Sequence, residues 1–135
     1  MVAELPQYFF RTRENGAFVF RVEQETRLRR IEMDQIAVVN IRNGEIKPQG
    51  DRVLQDEDVA AIRAWIEERR AVLAARVIED ITRTVDHLNQ VSHWVQSKAS
   101  DDELDLVTNE LLLSMHDLRQ VLVRRRAERI DSARD

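Results

Sequence analysis

Asp80, Thr84 and His87 stand at i, i+4 and i+7, a spacing that sets all three on one side of a helix. Carboxylate and imidazole on such a line could hold a metal in a helical bundle, but bundles that do so pair Glu-x-x-His motifs. No Glu-x-x-His occurs in this chain, and His93 and His116 add no ligand spacing. The line therefore reads as the polar edge of a helix, and no metal or cofactor is expected. There is no cysteine, so thiolate nucleophiles, thiolate metal sites and disulfides are excluded. There is no Gly-rich phosphate loop, no G-x-S-x-G and no H-E-x-x-H. Adjacent carboxylates such as Asp101-Asp102 are accounted for as acids at the start of a helix. The expectation is a protein that is not an enzyme.

A second group has a different chemistry. Phe9, Arg11, Arg13 and Arg21 alternate along two short apolar stretches, and a hairpin would bring them to one face. Arginines for phosphates beside an aromatic ring for base stacking are how sheet surfaces hold single-stranded nucleic acid. Arg27, Arg29 and Arg30 could extend the patch. In element order alone, four strands and then a helix, the chain resembles the repeat of PUR-type single-strand binders, a likeness of topology with no shared motif. The formal charge of −4 weighs against a dedicated nucleic-acid binder. Arg124, Arg125, Arg126 and Arg129 form a further basic segment, which also suits a helix C-terminus.

The elements that must position these residues divide the chain in two. The three Gly (16, 44, 50) and both Pro (6, 48) lie in the first 50 of the 135 residues. Residues 51–135 contain neither and read as helix. Residues 1–50 carry 8 Lys+Arg against 7 Asp+Glu, and residues 51–135 carry 13 against 18. The excess acid therefore lies in the helical portion.

The first portion reads as an antiparallel meander of four to five strands. Tyr8–Arg13 and Ala17–Val22 flank Glu14-Asn15-Gly16. A three-residue loop with Gly16 in the left-handed conformation would pair Phe10 with Phe20 and Tyr8 with Val22, making one face uniformly apolar. Phe9, Arg11, Arg13, Val19 and Arg21 would then share the other face. A third strand spans about 27–33 and a fourth 36–41. Asn43-Gly44 reads as a two-residue turn that would set Ile41 opposite Ile46 in a short fifth strand ended by Pro48. Gln49-Gly50-Asp51 is the expected hinge.

The second portion reads as a hairpin of two long helices. Asp56, Glu57 and Asp58 start a helix of roughly 40 residues, about 60 Å at 1.5 Å per residue. Its apolar stripe runs Val59, Ile62, Ile66, Leu73, Val77, Ile81, Val85, Leu88 and Val95. Ile62, Trp65 and Ile66 are the candidates to cover the sheet. Ser100-Asp101-Asp102-Glu103 matches the capping-box pattern of a new helix, whose stripe is Leu104, Val107, Leu111, Leu118 and Leu122.

Apolar residues exceed what two stripes can bury. Val72, Ile78, Val91, Trp94 and Leu112 lie off them, and surplus apolar surface marks a partner. The expected fold class is α+β, with a sheet portion over 1–50 and a helical hairpin over 51–135 in a single domain. The expected function is protein–protein interaction, with the helices pairing into a homodimeric four-helix bundle or holding a hetero-partner. The alternative is a nucleic-acid-binding or regulatory protein that uses the Arg/Phe face. No run approaches 18 apolar residues, and the N-terminus lacks the pattern of a signal peptide. A cytoplasmic protein with no membrane partner is expected.

Overall fold

A computed structural model describes residues 4–25 and 30–134. Four strands form a sheet of order β1-β2-β3-β4: β1 Tyr8–Arg13, β2 Gly16–Glu25, β3 Arg30–Asn40 and β4 Ile46–Pro48. All neighbours are antiparallel. Two helices follow, α1 Asp56–Ser97 and α2 Asp101–Arg134. The class is α+β, an N-terminal meander followed by a helical hairpin, as the sequence implies. Two compact units meet inside α1, one ending at Asp80 and the other beginning at Ile81.

In the first unit, the β1–β2 register differs from the expected one. Arg13 faces Gly16, Phe10 faces Val19 and Tyr8 faces Arg21, around a two-residue turn at Glu14-Asn15. Gly16 belongs to the strand, and its φ is not positive. It is glycine because a Cβ there would lie 1.9 Å from the Val39 carbonyl oxygen. The required property is a missing side chain, not a left-handed backbone. The shift moves every side chain of β2 to the opposite face from the one expected. Ala17 and Val19 turn inward, while Phe18 and Phe20 turn outward.

The expected third and fourth strands are one strand, β3. The ladder shifts register at Val19/Phe20, where Ala37 and Gln35 are consecutive partners and Ile36 is the extra residue. A bulge of this kind bends a strand without ending it, and it brings Ile36 into the core beside Ala37. The part of the expected third strand that includes Arg27, Leu28 and Arg29 lies outside the described residues.

The second hairpin is also re-registered. Val39 faces Ile46, so six residues, Asn40 to Glu45, separate the last paired positions, where the expected turn separated them by two. Gly44 adopts φ +74°, which a side chain would strain. Asn40 Oδ1 accepts from Asn43 N–H, and Asn43 Oδ1 from Glu45 N–H. Ile41 is drawn out of the ladder: its N–H donates to the Asn15 carbonyl, and its carbonyl accepts from Nε and NH2 of Arg70 on α1. At the expected hinge, Arg52 pairs with Asp34, and Gln35 donates to Gln49.

Ala17, Val19, Ile36, Ala37 and Val39 form the core with Ile62 and Ile66 of α1, and Trp65 packs against it as expected. The Trp65 indole stacks on Phe10 with centroids 4.7 Å apart and planes within 3°. Aromatic pairs of this kind add about 0.5–1.5 kcal/mol beyond their buried area.

In the second unit, the helices are joined through Lys98-Ala99-Ser100. Ser100 N–H donates to Glu103 Oε1 at 3.1 Å, and Glu103 N–H donates to Ser100 Oγ at 3.2 Å. This is the reciprocal capping box read from the sequence, and it satisfies donors that a helix start otherwise leaves bare.

Candidate functional site

Asp58 is the most distinctive polar group in the sheet unit. It is the third acid of the first turn of α1, and it lies four residues before Ile62. That spacing places its carboxylate on the helix face that covers the sheet. It is 2% exposed. Tyr8 Oη donates to Oδ1 at 2.6 Å, Arg21 donates to Oδ2 at 2.6 Å, and the Gln55 N–H donates to Oδ2 at 3.0 Å. Burial alone would raise the carboxyl pKa, but these three donors outweigh it and hold Asp58 below its ordinary value. Burial first, then the hydrogen bond to Asp58, pushes the Tyr8 phenol up to about 12. Its bond to Asp58 also raises Arg21. The cluster ties β1 and β2 to the start of α1. Its carboxylate is enclosed by donors from the protein and presents no face to a substrate. Sequence reading missed it by taking Asp58 as one of three equivalent helix-start acids. The signal was the i, i+4 relation to Ile62.

The outer face of the sheet carries the Arg/Phe patch, but without Arg21. The observed register sends Arg21 to the helix-covered face and its bond with Asp58. Phe9, Arg11 and Arg13 remain together. Arg11 lies 4.7 Å over the ring of Phe20, Arg13 lies 4.7 Å over Phe18, and Phe9 leans on Phe20. Two rings are thus capped by guanidinium groups, and Phe9 is the exposed ring, at 42%. Lys47 joins this face opposite Val38. Among the described strand residues that share it, Arg11, Arg13 and Lys47 are the charges, and there is no Asp or Glu. Arg30 alternates onto the other face, opposite Glu25.

The helices carry the largest apolar exposure. Val91 and Trp94 of α1 line a shallow hollow with Val107, Glu110, Leu111 and Ser114 of α2. Both were expected to face a partner, and both are half-buried beside that hollow. Ile81, Val85, Leu88 and Val95, expected to face α2, are exposed. The reason is the spacing. Each four-residue step carries the stripe about 40° around the helix, so the three steps from Leu73 to Val85 turn it by about 120°, whereas Val91, 18 residues after Leu73, returns to the side of Leu73. Val72, Ile78 and Leu112, expected at a partner interface, are exposed.

From Ala74 to Gln90, and again from Leu112 to Arg134, every residue is exposed. Leu118 and Leu122, expected on the intramolecular stripe, are 58% and 61% exposed. The polar line Asp80, Thr84, His87 lies within the exposed part of α1. Among the described residues no group of three or more His, Cys, Asp or Glu could hold a metal, and no helix is long and apolar enough to cross a membrane.

No protein family, curated protein or solved structure matches the chain. The topological likeness to PUR-type repeats thus has no structural match behind it.

Proposed function

We propose that this chain is a non-catalytic assembly protein whose two helices bind a second copy to form a helical bundle. The observation that carries this reading is the apolar exposure on α1 and α2, chiefly Ile81, Val85, Leu88, Leu118 and Leu122. An isolated helix is marginal in water even at about 12–15 residues. The last 23 residues of α2, all exposed, need a surface to order against. Burying such residues contributes about 1.5–3 kcal/mol per side chain, enough in aggregate to offset the cost of association. A cysteine-free chain suits work in the reducing cytoplasm. The test is the mass of Val85→Glu combined with Leu118→Glu. The reading predicts conversion to monomer with the Trp65 environment unchanged. A double variant that stays assembled would overturn it.

A second reading rests on the acid-free outer sheet face with Phe9, Arg11, Arg13 and Lys47. On it, the face binds single-stranded nucleic acid through phosphates, with Phe9 as the stacking ring. Arg11→Ala with Arg13→Ala should then weaken binding of a labelled oligonucleotide and flatten its salt dependence. Unchanged affinity would remove this reading.

A further inference from the structure

The charge of α2 is arranged by position along the helix. Its first ten residues, 101–110, hold Asp101, Asp102, Glu103, Asp105 and Glu110 and no Lys or Arg. Residues 119–129 hold Arg119, Arg124, Arg125, Arg126 and Arg129 against Glu128 alone. Between them lies the apolar middle, with Leu111, Leu112, Leu113, Met115 and Leu118.

One line along the helix shows the pattern in full. Asp101, Thr108, Met115, Leu122 and Arg129 recur every seven residues, so they drift by only about 20° per step and share one side. The line is acid at one end, base at the other, and apolar at and just beyond its centre. Turned end for end about Met115, it is complementary to itself. Asp101 meets Arg129, Thr108 meets Leu122, and Met115 meets Met115. Asp105 and Arg126 flank the line on the same side, where an antiparallel pair brings like positions of the two helices together.

We infer that α2 pairs antiparallel with α2 of a second copy, about a two-fold axis at Met115. This rests on the assembly reading above and specifies its partner and direction. A parallel pairing would set five acids against five acids and five arginines against five arginines, which like-charge repulsion opposes. An antiparallel pairing sets the acidic end of each helix against the arginine-rich end of the other and also aligns the helix dipoles favourably. A two-fold interface must be self-complementary, and this charge order meets that condition without any other chain. The middle of the line is open to a partner, because Met115 and Leu122 are exposed. Among the described residues, Glu128 pairs with Arg124 and Arg125 of this segment.

The lack of native cysteine makes the test direct. Met115→Cys, Thr108→Cys and Leu122→Cys are made separately in the full chain, and the mass of each is measured before mild oxidation. Thr108 and Leu122 are 14 residues apart in one helix, about 21 Å. A disulfide needs Cα atoms within about 7 Å. The antiparallel pair predicts that Met115→Cys links to itself. Thr108→Cys and Leu122→Cys should each stay unlinked alone and link when mixed. Asp101→Cys mixed with Arg129→Cys repeats the test along the same line should Leu122→Cys impair assembly. Self-linking of both Thr108→Cys and Leu122→Cys would mean a parallel pair, and it would overturn the inference while leaving the assembly reading intact. An assembled protein with no α2 cross-link would also overturn it, placing the contact elsewhere. A monomeric protein would overturn both.

Discussion

Replacing Asp58 by alanine should destabilise the sheet unit by about 3 kcal/mol. The figure follows from what the carboxylate holds. The Tyr8 hydroxyl bond goes to a charged acceptor in a part-buried place, worth about 1.5–3 kcal/mol. The Gln55 N–H bond is the reciprocal half of a helix start, worth about 0.5–1 kcal/mol. The Arg21 pair is discounted to about 1 kcal/mol, because the Arg21 side chain is 34% exposed and rehydrates when its partner leaves. Removing the buried charge returns some desolvation cost, which brings the total back to about 3 kcal/mol. The assay is urea unfolding in a Trp94→Phe background, where Trp65 alone reports through its stack on Phe10. Asp56→Ala is the control. It removes an exposed acid from the same helical turn and should cost at most about 0.5–1 kcal/mol. Acid unfolding gives a second readout. A carboxyl with a lowered folded pKa stabilises fully above its ordinary value of 3.8 and loses that contribution as pH falls through the lowered folded value. Asp58→Ala should flatten that part of the acid limb. If Asp58→Ala and Asp56→Ala cost the same, the cluster holds nothing together and the reasoning fails.

Tyr8 predicts the opposite limb. Its folded pKa is raised from 10.0 to about 12, so its contribution is fully present below pH 10 and is lost between about 10 and 12. Tyr8→Phe should flatten this alkaline loss, as followed by far-UV circular dichroism. Gly16→Ala should cost about 1–3 kcal/mol or more, because its Cβ meets the Val39 carbonyl and not a side chain that can move. A neutral result in urea unfolding would show that the β2–β3 ladder yields there. Ser100→Ala should cost α2 about 1 kcal/mol through the lost cap, read as reduced amide-exchange protection in the first turn of α2.

The elements were legible where one local rule governed them. The limits of α1 and α2 followed from the acids at 56–58, the capping box at Ser100 and the absence of Gly and Pro. Strand existence followed from β-branched and aromatic runs. Register was not legible, because it depended on contacts distant in sequence. Gly16 looked like a turn residue and is a strand residue pressed against the Val39 carbonyl. Ile41 looked like a ladder residue and is held in a loop by Arg70. The Arg/Phe patch was readable for Phe9, Arg11 and Arg13, which share one strand. It failed for Arg21, whose face depended on the β1–β2 register and on Asp58. For the helices, the stripe is a pattern of four-residue steps that turns around α1, so Ile81 and Val85 are exposed while Val91 and Trp94 are half-buried.

Light scattering coupled to size exclusion, run across a range of salt, shows most directly whether a second copy covers the apolar helical surface. A dimer held this way has twice the chain mass of 15.8 kDa at low salt and dissociates little as salt rises, because buried apolar area and not surface charge supplies most of the affinity. A mass of one chain at every concentration and salt would contradict it.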